Sequence, residues 1–108
     1  TDLFCKIPIP FAVAALGGEV EVPTLAGPVK MKIPAGTQGG SDFRVKSHGM
    51  PRLQSHAKGD LHVHLEVEVP TKLNVEQRKA LETFAELCGE ENTPIHRSFT
   101  ERLKDLFA

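Results

Sequence analysis

The chain has no tryptophan and no tyrosine, so phenylalanine supplies all six of its aromatic side chains. That composition argues against a carbohydrate or base-stacking site built on indole or phenol rings. Cysteine is scarce. Cys5 and Cys88 are the only two, and their wide separation is neither metal-ligand nor redox-motif spacing. Free, buried thiols in a reducing cytoplasmic setting are the expectation, rather than a disulfide. Neither sign of charge is in excess, with 13 basic against 14 acidic residues and a net charge of −1. A broad basic surface for nucleic acid and an acidic solvating arm are both excluded. The longest apolar run, Ile7 to Leu16, is interrupted by Pro8 and Pro10 and is too short to cross a bilayer. No signal peptide is visible. The opening residue is Thr1 rather than methionine, which leads us to expect a piece excised from a longer protein.

What the chain does contain is alternation. Leu3, Cys5, Ile7 and Ile9 alternate with Phe4, Lys6 and Pro8, giving a first strand whose proline marks an edge position or the strand's end. Phe11 to Leu16 is an alanine-rich helical turn stopped by Gly17 and Gly18. Val20 and Val22 then alternate with Glu19 and Glu21, and Val29, Met31 and Ile33 with Lys30 and Lys32. Carboxylates on one strand and ammonium groups on the other favour their pairing as a hairpin. Pro23 and the Ala26-Gly27-Pro28 turn bound that hairpin. A loop from Ala35 to Gly40 leads to a short strand around Phe43 to Lys46. Ser47 to Gly59, polar and glycine-containing, reads as a mobile loop. The clearest strand is Asp60 to Val69, with Leu61, Val63, Leu65, Val67 and Val69 on one face and His62, His64, Glu66 and Glu68 on the other. Such period-2 patterns predict antiparallel sheets, each with one wet face, stacked over a shared core.

Helical periodicity takes over after residue 70. Asn74 followed by Gln77 forms a capping-box pattern, Leu81, Phe84, Ala85 and Cys88 share one face, and Gly89 suits the helix stop. Glu90 to Pro94 is a polar linker. Ser98-Phe99-Thr100-Glu101 then reads as a second capping box opening a short helix. In that helix Phe99, Leu103, Leu106 and Phe107 occupy i, i+4, i+7 and i+8, a single apolar stripe. A helix of about ten residues is not stable alone in water and must dock. Burying its four large side chains would contribute roughly 6–12 kcal/mol before ordering costs. The residues leave open whether it folds back on its own sheet or meets a partner subunit.

No constellation in the chain points to catalysis. His48, His56, His62 and His64 lie close together near Asp60, but two fall on a loop and no cysteine joins them, so solvated surface histidines are expected rather than a metal site. Gly36, Gly39 and Gly40 follow a strand without a helix start or a lysine-serine pair, so turn chemistry replaces a phosphate loop. Glu66 and Glu68 on one strand face read as a solvated edge pattern, and no nucleophile elbow surrounds any serine. Apolar surface remains. Phe4, Phe11, Phe43, Met50 and Leu53 flank turns or oppose the core alternation, which makes them candidates for a peptide groove or sheet edge. The alternative is that they complete the core, and Phe43 shares the spacing of Val45.

The run FAVAALGGEVEVPTLAGPVKMKIPAGTQGGSDFRVKSHGMP, closed by KGDLHVHLEVEVP, resembles the C-terminal peptide-binding region of the DnaJ family of J-domain co-chaperones, and within it the second of two β-rich subdomains. The resemblance extends from Ile7 to the C-terminal helix. It implies a client-binding, dimerising part of a protein that delivers unfolded polypeptides to a DnaK-type ATP-driven chaperone. It also implies that Phe99, Leu103, Leu106 and Phe107 form a dimerisation helix. The chain has no His-Pro-Asp tripeptide, no Gly/Phe-rich stretch and no CxxCxGxG repeats, so on the resemblance it would neither stimulate the ATPase nor bind zinc. It departs from the family at Ala26, where T-L-D-G is usual, at Ser47-His48-Gly49 in place of a glycine-lysine-glycine loop, and at Gln54-Ser55-His56 in place of a glycine-rich stretch. The ending PIHRSFTERLKDLF looks more like the zinc-containing class.

The expectation is therefore a mainly β chain, a two-layer antiparallel sandwich with a short early helix and two C-terminal helices. Residues 1–70 would form the sandwich, 71–89 a packing helix, and 90–108 the linker and dimerisation helix. Its work would be non-catalytic and cofactor-free: binding of non-native polypeptide by a cytoplasmic homodimer, with no nucleic acid or membrane partner. The alternative is a structural dimerisation module whose clients bind elsewhere in the full-length protein.

Overall fold

Eight of the first ten residues form strand β1, Leu3–Pro10, although two of the eight are prolines. The computed structural model, which describes residues 2–24, 27–45 and 59–107, shows why this is tolerated. The Leu3 N–H donates to the Asp60 carbonyl at 2.9 Å, so odd-numbered residues direct their backbone groups into the sheet and even-numbered ones away from it. Pro8 and Pro10 thus place their missing N–H groups on the open side, where no ladder bond is lost. Helix α1, Phe11–Leu16, follows directly, and then strands β2 (Gly18–Val22), β3 (Val29–Ile33), β4 (Asp42–Val45) and β5 (Leu61–Glu68). They form a three-stranded sheet of order β1-β5-β4 and a two-stranded sheet β2-β3.

The largely β, two-sheet architecture with an early helix is as the sequence predicts, but one direction differs. β1 runs parallel to β5, Leu3 opposite Leu61 through Pro10 opposite Glu68, while β4 pairs antiparallel with β5. The larger sheet is therefore mixed. Period-2 alternation reports which face is wet and is silent on strand direction. No hairpin joins β1 to β5, so nothing local forces the antiparallel sense. The hairpin does pair antiparallel, and its register sets Glu19 opposite Lys32 and Glu21 opposite Lys30. Thr24 and Gly27 close its turn by mutual backbone bonds of 3.1 and 3.2 Å, while Leu25 and Ala26 lie outside the described residues.

The inward residues of both sheets meet. Ile9, Leu61, Val63 and Leu65 from one sheet, Val22, Met31 and Ile33 from the other, and Ala14 of α1 are all buried. Complete burial of a Val, Leu or Ile side chain is worth about 1.5–3 kcal/mol, and Ile9, Leu65, Val22 and Val63 are all below 2% exposed. The loop after β3 ties this core together through its backbone. Gly36 N–H donates to the Ala14 carbonyl at 2.8 Å and Thr37 N–H to the same oxygen at 3.0 Å, capping the end of α1. Gly40 N–H donates to the Leu65 carbonyl at 2.8 Å. Glycine-rich turn chemistry, rather than a phosphate cradle, accounts for these amides.

The chain divides into two compact units, Thr1–Pro70 and Thr71–Ala108. The second opens with helix α2, Val75–Leu87, under the expected capping box: the Gln77 N–H donates to Asn74 Oδ1 at 2.8 Å and the Asn74 N–H to Gln77 Oε1 at 2.9 Å. α2 ends at Cys88 in extended backbone, and Gly89, with φ −110°, starts a 3-10 turn at Glu90–Asn92 instead of adopting a left-handed stop. Helix α3 spans Pro94–Phe107. It starts four residues before the predicted Ser98 cap. Proline at the first helical position has its φ preset and no N–H to satisfy, and the Arg97 N–H donates to the Thr93 carbonyl at 3.0 Å. Ser98 and Glu101 are consequently mid-helix, and Glu101 instead accepts from Arg97 Nε at 3.1 Å.

Two pairs of substitutions follow from these assignments. Gly17 ends α1 at φ +84°, and a Cβ there would meet Ala35 N and Ile33 O at 3.0 Å, whereas Gly36 at φ +82° faces open space. Gly17→Ala should lower stability by about 2–3 kcal/mol and Gly36→Ala by about 1 kcal/mol in urea titrations of the β unit's signal. Asn74→Ala should cost about 1 kcal/mol. Ser98→Ala should stay within about 0.5 kcal/mol, read by amide exchange of the two helices; an equal loss at both positions would contradict the early start of α3.

Candidate functional site

The wet face of the three-stranded sheet carries the even-numbered residues of β1 and β5. Register places Phe4 beside His62 and Lys6 beside His64. The Phe4 ring is 78% exposed and stacks on His62 with centroids 4.7 Å apart and planes inclined by 13°. Each histidine is also held by a carboxylate: His62 Nε2 lies 2.8 Å from Asp2 Oδ2, and His64 Nδ1 lies 2.7 Å from Asp42 Oδ1. Asp2 spans further, its Oδ1 accepting from the Asp60 N–H at 2.7 Å. An open groove of about 410 Å³ runs over this face, lined by Phe4, Cys5, Lys6, Asp42, His62 and His64.

These pairs add carboxylate partners to the surface histidines expected at 62 and 64. Both are partly exposed, yet both staple neighbouring segments to β5. The signal lay in the β1–β5 register, which alternation alone could not supply. Among the described residues no group of three or more His, Cys, Asp or Glu side chains is placed to hold a metal ion. His48 and His56 lie outside the described residues.

The five apolar candidates separate. Phe4 is in water and Phe11, at the start of α1, is 38% exposed. Phe43 is half-buried against the core, as its shared spacing with Val45 allows. Met50 and Leu53 lie outside the described residues. Cys5 and Cys88 are free thiols, half-buried rather than fully buried, and desolvation pushes the Cys5 thiol pKa up.

On α3, Phe99, Leu103, Leu106 and Phe107 are 55%, 39%, 76% and 87% exposed. The earlier helix start adds Ile95, 69% exposed, one turn before Phe99. Sequence reasoning missed Ile95 because the helix was expected to begin after it. The stripe thus extends over the full 14-residue helix. Arg97, lying 3.8 Å from Glu90 and 3.1 Å from Glu101, links the 3-10 turn to α3.

The Asp60 amide and the His62 ring hold the Asp2 carboxyl below its ordinary value of 3.8. A depressed carboxyl pKa contributes stability that is present above the unfolded value and is lost as pH falls through the folded one. Asp2→Asn should therefore lower the urea midpoint at neutral pH, and its difference from wild type should close only below the ordinary aspartate range. A constant difference down to about pH 2 would rule out the ionised carboxylate as the cause.

Comparison with known proteins bears on both units. Residues 1–70 match the family model described as the DnaJ C terminal domain, and residues 76–108 match that of the chaperone protein DnaJ C-terminal region. A chaperone protein DnaJ of Opitutus terrae is 52% identical over 106 residues, covering 98% of this chain and 28% of that protein. The one from Natronomonas pharaonis is 52% identical with the same coverage. That of Neisseria gonorrhoeae is 51% identical over 108 residues, covering 98% of this chain and 29% of its own. The chain spans less than a third of the length of these relatives. Matched through its strand-rich unit and again through its helical one, the chain belongs to the DnaJ C-terminal domain family.

Proposed function

We propose that this chain is the client-binding and dimerising part of a DnaJ-type co-chaperone, acting by binding alone and without a cofactor of its own. Non-native polypeptide held by the full-length protein would pass to a DnaK-type ATP-driven chaperone. The observation that carries the reading is the continuous apolar stripe of α3, five large side chains left 39–87% exposed on one helix. Glu101, Arg102, Lys104 and Asp105 occupy the rest of its surface, so one face is suited to a partner and the others to water. A second copy of the same helix offers the same stripe, and an isologous pairing would cover both at once. The dimer in turn supports client binding. Two weak peptide sites on linked arms gain by effective concentration, without needing a strong contact at either.

Sedimentation equilibrium should find a dimer for the wild-type chain and a monomer for Leu103→Asp/Phe107→Asp. Both residues are exposed, so the variant should keep the wild-type circular dichroism spectrum. The wild type should also delay aggregation of a chemically unfolded client more effectively, per chain, than the monomeric variant. A monomeric wild type would remove α3 from the interface. Equal protection by dimer and monomer would remove the avidity.

A further inference from the structure

The open edge of β1 carries an inference that rests on the client-binding reading and specifies the segment bound. Because Leu3 donates into the sheet, Phe4 and Lys6 turn their N–H and C=O groups outward, and among the described residues no strand pairs with that side. Beyond them the edge offers carbonyls only, since Pro8 and Pro10 have no N–H to give. An added strand can therefore exchange hydrogen bonds in both senses only along Phe4 to Lys6. Prolines and a lysine are also devices that blunt an edge against unwanted pairing. A merely blunted edge, however, has no use for a phenylalanine held 78% exposed on that same stretch.

Charge narrows the occupant. The carboxylates beside the two histidines are taken, Asp2 by His62 and Asp42 by His64, and Arg44 lies 3.5 Å from Asp60. Lys6 also lines the groove and has no carboxylate partner among the described residues. Glu66 and Glu68 stand beside Pro8 and Pro10, at the end of the edge that lacks donors. Phe4 and Lys6 are two residues apart and face the same way, so a paired strand presents to them two side chains that are also two apart. We propose that β1 takes up, as an added strand along Phe4–Lys6, an extended client segment in which an apolar residue and a carboxylate are two positions apart. The apolar side chain lies against the Phe4–His62 stack, and the carboxylate meets the Lys6 ammonium.

A labelled decapeptide with a central phenylalanine flanked at both second neighbours by aspartate fits either strand direction, and its anisotropy on adding the whole chain provides the test. Lys6→Glu should weaken this peptide roughly tenfold and strengthen a version with lysine at both flanking positions. Phe4→Ala should weaken both versions. N-methylation of the peptide amides that face the edge should abolish binding, and methylation of the alternate amides should not. Both variants alter exposed side chains, and an unchanged thermal transition would establish that they fold. If the chain binds a chemically unfolded client but not the aspartate peptide, or if Lys6→Glu leaves both peptides unaffected, the β1 site is refuted and client binding stands. If the wild type binds neither peptide nor unfolded client, both readings fall and the edge is protective only.

Discussion

The parallel pairing of β1 with β5 is the constraint on which the strand-rich unit depends. It joins segments about 58 residues apart, as the Asp2–Asp60 bond at its start illustrates. Closing so long a loop costs conformational entropy that only several contacts made together can offset. They are made together here: the ladder itself, the burial of Ile9 beside Leu61, Val63 and Leu65, and the carboxylate of Asp2 gripping both the Asp60 amide and the His62 ring. The same register puts Phe4 over His62 and turns Pro8 and Pro10 outward. Core, exposed aromatic and half-blocked edge are thus consequences of one alignment. A slip of one residue would exchange the two faces and destroy all three.

The second coupling runs through backbone rather than side chains. The loop after β3 gives its Gly36 and Thr37 amides to the last turn of α1 and its Gly40 amide to β5. The hairpin sheet and the mixed sheet are therefore joined by directed bonds as well as by apolar packing. Gly17 makes this geometry possible, because its φ of +84° lets α1 stop and β2 begin within one residue, hard against Ala35. Hydrogen bonds of this kind contribute modestly one at a time, but leaving the helix-end carbonyls buried without a donor would be costly.

Much of this was legible in the residues, for identifiable reasons. Strands announce themselves when one face is wet, and the runs around Val20, Met31 and Val63 do so without ambiguity. The Asn74–Gln77 box was readable because both halves of a capping box are local. Strand direction was not readable, since the contact that sets it joins Leu3 to Leu61 and leaves no mark on either segment alone. Ser98 misled because a capping pattern inside a helix resembles one at its start, and Pro94 had already supplied a better start. His62 and His64 looked free because their partners, Asp2 and Asp42, belong to other strands or their approaches. The apolar stripe of α3 was visible from Phe99 onward, and its extension to Ile95 depended on where the helix began.

What the two units share is a division of labour among apolar side chains. In the strand-rich unit Ile9, Val22, Ile33, Leu61, Val63 and Leu65 are inside, and the large ring left on the sheet's surface, Phe4, stands on an edge with which no strand pairs among the described residues. In the helical unit no residue of α2 or α3 is buried, and the largest apolar side chains of α3 lie along one line. Both arrangements suit association, where free energy comes from covering apolar surface that was left uncovered. An edge that offers donors at two residues, with a lysine among them, would bind a segment weakly and release it readily. On the function proposed above, weak capture is what handing a client onward requires, and a paired α3 would let two such edges hold one chain long enough to matter.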